Sequence, residues 1–387
     1  MNFKTVSNEV VSGIAKVSKK KKLELHEPYF FKRDFEIIKK CLKSTSVSSH
    51  SKYVNIFEKK ICSYTHSKYS VATMNATSAL HLSLIALGVK CNDEVIVPNF
   101  NYIAPANAVL YCNAVPIFLD IELETFGLDP VQFENYLKNN YYIKSNKSFN
   151  KKTQRVAKAV IVTHVFGNPC KIKSIIKISK KYNLKVIEDA SEALGSFYQF
   201  KHLGTFGDIG VISFNGNKII TTGGGGVVIT NNARLFKEIK LISTISKTKK
   251  SFWDYSKLGF NFRMPGINAV LGISQLGKLK FIKKQKKKLF KKYLKIFSKN
   301  KNFELVKPIS NNANYWLISI FLKSSSYLLR DSIIKKCINK KYNARPGWKV
   351  MTKMNYFKKY KFCETKNSIE AEKRLVCLPS SWHIMKK

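Results

Sequence analysis

At 387 residues and 44% hydrophobic content, the chain is long enough for two domains and too apolar to be disordered. Eighteen Gly and ten Pro exclude a collagenous or low-complexity protein, and no uninterrupted apolar run could cross a bilayer, so a soluble globular protein is expected, and the scattered Cys fit reduced thiols in a cytoplasmic one. The formal charge of +45 comes from 69 Lys and Arg against 24 Asp and Glu, but only seven of the cations are Arg, the planar fork that nucleic-acid readers favour, so the Lys excess reads as solvated surface.

Residues 1–30 have no continuous apolar core and no small-residue cleavage site, and read as an amphipathic N-terminal arm. From 31 to about 245, helical patterns alternate with short β-branched runs, which predicts α/β architecture with a mostly parallel central sheet. Helices are expected over 53–65, 78–88 and 104–113, and strands over 69–73, 93–98 and 114–120. The stretch 141–156 lacks apolar periodicity and is expected to be an exposed hairpin or loop. Further strands fall at 158–167, 184–189, 208–214 and 225–230, with a basic helix over 171–183. Beyond 245 the texture changes. A long Lys-rich helix over 267–299 leads to a strand over 314–322 and a smaller C-terminal α+β domain spanning 246–387. The eight Cys form no Cys-x-x-Cys or Cys/His cluster, so neither a metal site nor a disulfide framework is expected.

In an open parallel sheet the working groups sit just past the carboxyl ends of the strands. Asn75, Ala76 and Thr77, His164, Asp189 and Lys218 all fall at such places. Lys218 stands out because it lies in SFNGNKIITTGGGGVVIT, a loop rich in Gly and hydroxyl groups, whereas most other Lys sit in amphipathic helical runs. A lysine in such a cleft can form a Schiff base with an aldehyde cofactor. Asp189 could keep a pyridine nitrogen protonated, although a strand-end Asp is more often a cap or turn residue. The helix opened by NATSAL could hold a phosphate on its free N–H groups or be an ordinary capped helix. GGGG (223–226) lacks the phosphate-loop pattern and reads as a tight turn where backbones approach closely. Tyr102 could stack on a planar cofactor or fill the core.

Together these segments resemble the DegT/DnrJ/EryC1/StrS family of sugar aminotransferases, fold-type I enzymes that use pyridoxal 5′-phosphate. The likeness runs from LELHEPYF (23–30) to RLVCLPSSW (374–382) and is densest over 187–230. The HEP start, FNGNKIITTGGGG, the 141–156 insert and ARPGW (344–348) are most similar to the branch that aminates C4 of UDP-linked 4-keto-6-deoxy-N-acetylhexosamines, which feeds the bacillosamine and legionaminic acid pathways. The resemblance implies that Lys218 is the Schiff-base lysine, Asp189 the partner of the pyridine nitrogen, and Glu192 the group near the ring's 3-hydroxyl. It further implies that Ser213 with the Ala76 and Thr77 backbone holds the phosphate, that Tyr102 stacks on the ring, and that Asn261 reaches the phosphate of a neighbouring subunit in an obligate homodimer. Dehydratase relatives carry His where Lys218 stands, so the lysine implies transamination. Glutamate is the implied amino donor and a nucleotide-linked keto sugar the acceptor.

Two departures stand out. Thr352 falls where the branch has His, which bears on the identity of the sugar, and Ala76 replaces the usual Gly of the phosphate turn but still offers its N–H. The alternatives are a non-catalytic polyanion-binding or regulatory protein on the same fold, and amination at C3 instead of C4.

Overall fold

The computed structural model describes residues 2–248, 253–360 and 362–385. Seven β-branched runs form one sheet: β1 (Tyr69–Thr73), β2 (Glu94–Pro98), β3 (Val115–Leu119), β4 (Val156–Thr163), β5 (Lys185–Asp189), β6 (Ile209–Ser213) and β7 (Gly226–Thr230). Their order across the sheet is β1-β7-β6-β5-β4-β2-β3, and only β7 runs antiparallel to its neighbours. The connection from β6 to β7, residues 214–225, contains no crossover helix, so the chain returns beside β6 in the opposite sense. β2 and β3 are buried along their whole length, as continuous apolar strands between helical layers should be.

The 141–156 insert is a hairpin, Tyr141–Lys144 with Lys147–Asn150, that adds to β4 through Ser148 and Phe149. Ser145 and Asn146 both take positive φ at its tip, as a two-residue turn that matches strand twist requires.

A second, antiparallel sheet follows: β8 (Phe303–Leu305), β9 (Ile318–Leu322), β10 (Arg345–Pro346) and β11 (Leu375–Leu378), in the order β8-β9-β11-β10. Two expectations are corrected here. The long helix is two helices, Gly266–Leu276 and Leu279–Phe297, broken at Gly277 and Lys278. The strand expected from 314 starts only at Ile318, because Tyr315 sits at φ 55° and the Asn314 amide donates to the carbonyls of Glu192 and Leu194.

The N-terminal arm is a helix, Phe3–Val17, followed by an extended strap. Its Val6, Val10 and Ile14 are fully buried against Leu289, Tyr293, Leu329 and Ile333 beside the second sheet. At about 25 cal/mol per Å2 of apolar area, each such side chain contributes roughly 1.5–3 kcal/mol, so the arm is docked along its length.

Candidate functional site

The carboxyl ends of β1, β2, β4, β5 and β6 open into one cleft of about 510 Å3. Seven of the eight residues to which the resemblance gives a cofactor role line it: Ala76, Thr77, Tyr102, Asp189, Glu192, Ser213 and Lys218. The eighth, Asn261, is exposed outside it, on a segment whose neighbour Phe262 accepts a hydrogen bond from the Met74 N–H at 2.8 Å.

At one end of the cleft, β1 runs into the helix Ala76–Ala86. Asn75 caps the helix, its Oδ1 accepting from the Ser78 N–H at 2.8 Å. The N–H groups of Ala76 and Thr77 point out of the first turn with no intrahelical acceptor, at the positive end of the helix dipole. β7 passes so close that a Cβ on Gly226 would stand 2.5 Å from the Asn75 carbonyl carbon and 2.6 Å from the Ala76 nitrogen. Gly223 takes φ 82°, so the GGGG run is the tight, close-packed turn expected of it. The buried Ser213 hydroxyl lies at the end of β6, where it also accepts from the Asn215 N–H at 3.3 Å.

Opposite lie the charged groups. Lys218 Nζ is 3.4 Å from Glu192 Oε1 and 4.0 Å from the centre of the Trp316 indole, and its side chain is 14% exposed. The indole N–H donates to the Asn217 carbonyl at 2.8 Å, so Trp316 is tied to the residue preceding the lysine. Burial raises the Glu192 carboxyl above its ordinary range, while Lys218 and the Phe166 N–H, which donates to Oε2 at 2.8 Å, hold it down. Asp189 is raised for the same reason, opposed by hydrogen bonds from Ser191 and the charge of Lys218. A buried carboxylate of this kind gains from a cationic N–H partner.

Tyr102 is 58% exposed at the mouth of the cleft, on a loop held by the Asn101 amide donating to Thr163 Oγ1 at 2.6 Å. His164 is not in the cleft: its Nε2 lies 2.8 Å from Glu188, whose oxygens also accept from the N–H groups of Gly204, Phe206 and Gly207. Thr352 is likewise outside, exchanging hydrogen bonds with the buried Asn99. Among the described residues no cluster of His, Cys, Asp and Glu could hold a metal ion, and no helix is long and apolar enough to cross a membrane.

Lining residues not picked out from the sequence include Leu25, Trp316, Asn343, Arg345 and Trp348. Two of them, Arg345 and Trp348, lie inside ARPGW, a segment noted only for its likeness. Trp316 was hidden inside a run that reads as a strand.

A mostly parallel sheet whose strand ends surround a loop lysine, a buried aspartate and an open helix N-terminus defines a fold-type I pyridoxal-phosphate enzyme. Residues 29–387 match the DegT/DnrJ/EryC1/StrS aminotransferase family, and the chain belongs to it, a family of pyridoxal-phosphate-dependent sugar aminotransferases. GDP-perosamine synthase of Escherichia coli O157:H7 is 34% identical over 346 residues, 88% of each chain. The UDP-4-amino-4,6-dideoxy-N-acetyl-β-L-altrosamine transaminase of Campylobacter jejuni serotype O:23/36 is 31% identical over 329 residues, 84% of this chain and 83% of that one. Among solved structures, Helicobacter pylori PseC, an aminotransferase of pseudaminic acid biosynthesis, superposes with a TM-score of 0.83 at 26% identity, covering 92% of this chain and 93% of the other.

Proposed function

We propose that this aminotransferase moves an amino group from glutamate to C4 of a nucleotide-linked 4-keto-6-deoxy sugar, for a surface polysaccharide or a nonulosonic acid. The observation that carries this reading is the Lys218 amine held inside the cleft beside two buried carboxylates, Asp189 and Glu192. Buried carboxylates destabilise a fold unless something uses them, which speaks against a non-catalytic binder.

The donor set fits pyridoxal phosphate. The Ala76 and Thr77 N–H groups and the Ser213 hydroxyl suit a phosphate. Asp189 suits a protonated ring nitrogen, Glu192 the ring's hydroxyl side, and Tyr102 a stacking face. When bound, the group supplies an aldehyde carbon and an electron-withdrawing ring that stabilises charge at the carbon losing its proton. The chain's residues do the rest. The Lys218 amine takes and returns that proton as general base and acid. The face of the Trp316 indole and the Glu192 carboxylate, 3.4 Å away, hold that amine in place from two sides.

The Campylobacter relative is named for a 4-amino-4,6-dideoxy sugar, and the Escherichia coli relative for a GDP-linked amino sugar, which supports a nucleotide-linked acceptor aminated at C4. A homodimer is part of the proposal. Asn261 is exposed near Leu258 and Tyr255, apolar side chains 82% and 44% exposed, as a residue reaching into a second copy should be. The test is incubation of the holoenzyme with L-glutamate and UDP- and GDP-linked 4-keto-6-deoxy sugars, with mass spectrometry and NMR of the product. An amine at C4 with release of 2-oxoglutarate is expected; an amine at C3, or no amination of any acceptor, overturns the proposal.

A further inference from the structure

Residues 23–27, which bend at Leu25 and His26, precede the stretch matched to the family, yet Leu25 lines the cleft together with Lys218, Trp316, Arg345 and Trp348. It is the one branched aliphatic side chain among the described residues there, most of the others being polar or charged. A group that neither donates nor accepts a hydrogen bond can select only by shape and apolar contact.

The segment is held along its length. The Leu23 N–H donates to the Lys341 carbonyl at 2.9 Å, and the Leu23 carbonyl accepts from the Asn343 N–H at 2.7 Å. The Leu25 carbonyl accepts from the Ser380 N–H at 2.6 Å, and the Glu27 N–H donates to Ser381 Oγ at 2.7 Å. Between them, the His26 ring lies against the Trp316 indole, the ring centres 6.3 Å apart. Upstream, the docked helix Phe3–Val17 anchors the strap, with Gly13 so close to Phe297 that a Cβ would meet the ring at 2.1 Å. Ser18 Oγ then donates to the Ile384 carbonyl at 2.7 Å.

We infer that this tethered strap is a specificity-determining wall of the cleft, and that Leu25 packs on the apolar, deoxygenated part of the acceptor sugar. The inference builds on the acceptor class proposed above. Leu25 belongs with the acceptor and not with glutamate, because the small donor needs only the carbons next to Lys218, whereas the bulkier sugar nucleotide must pass the wall.

The test separates the two half-reactions of the holoenzyme. Loss of the visible cofactor band with L-glutamate reads the donor step, and its return with a keto sugar reads the acceptor step. Leu25→Ala should raise the acceptor KM about tenfold, the range expected for lost apolar contact in a pocket, and change the donor step less than twofold. Leu25→Trp, which fills the cleft, should depress the acceptor step further. Ile14→Asp, which unseats the anchoring helix, should move the acceptor KM in the same direction. An acceptor KM within twofold of the parent in both Leu25 variants, or equal effects on the two steps, overturns the inference.

If the parent enzyme aminates no keto sugar, the proposed function fails, and the wall is judged separately with aminooxy reagents on the bound cofactor. O-benzylhydroxylamine should then react at least fivefold faster in Leu25→Ala while hydroxylamine does not; equal rates for the bulky reagent refute the wall.

Discussion

Gly226→Ala tests the proposed anion-binding end of the cleft most directly. The new Cβ would stand 2.5 Å from the carbonyl carbon and oxygen of Asn75 and 2.6 Å from the Ala76 nitrogen, where ordinary contact begins at 3.4 Å. Something must therefore move by about 0.9 Å. β7 cannot retreat easily, because it is paired with β1 on one side and β6 on the other, in register at Thr73 and Ser213. The helix start is the part that yields. Turning one N–H away from a phosphate costs about 1.5–3 kcal/mol, the worth of a hydrogen bond to a charged group. That weakens pyridoxal phosphate about tenfold to a hundredfold. Overpacking adds about 1–3 kcal/mol of general destabilisation, visible in the melting of the apoprotein. The assay is equilibrium titration of apoprotein with pyridoxal phosphate and, in parallel, with pyridoxal, which lacks the phosphate. The variant should lose affinity for the first and keep its affinity for the second. An equal loss for both, or no loss in a folded variant, would refute the placement of the phosphate at this helix end.

Other outcomes follow from the same geometry. Borohydride treatment of the holoenzyme should fix the cofactor's mass on the peptide carrying Lys218, and Lys218→Ala should show neither that adduct nor the visible band. Because burial raises the Asp189 carboxyl in the fold, its ionisation costs stability as pH rises above the unfolded value. Asp189→Asn apoprotein should thus melt higher than the parent at pH 7, the gap closing below pH 4, while amination falls by roughly a hundredfold or more. Melting curves that coincide at pH 7 would contradict it. His202 is buried and held down to about 3 by desolvation, with its Nε2 accepting from the Gly195 N–H at 2.9 Å. The neutral ring is tolerated above pH 6.5, and the protein loses as much as about 5 kcal/mol as the pH falls from 6.5 to about 3. His202→Gln keeps the acceptor without the titration, so its acid unfolding midpoint should lie lower; coincident acid titrations would contradict the reasoning.

The βα alternation was legible because each strand of the large sheet is a short apolar run stopped by a polar or Gly-rich turn. Lys218 and Asp189 were legible for a related reason, since strand ends are where such a sheet presents its side chains. The break at Gly277 was not, because the apolar spacing carries on through Leu276 and Leu279 as though one helix continued. Trp316 escaped notice because NYWLISIFL alternates like a strand, and what bends it is the distant backbone of Glu192 and Leu194, which captures the Asn314 amide. Leu25 and Arg345 reach the cleft only through tertiary docking. Local pattern carries no trace of that.

The residues that enclose the cleft are numbered from 25 to 348. During synthesis the amine at 218 leaves the ribosome well before the indole at 316 or the guanidinium at 345. A nascent chain therefore bears that amine without its later neighbours until residue 348 has been made, and firm retention of the vitamin-derived group would report that every wall of the cleft has been built.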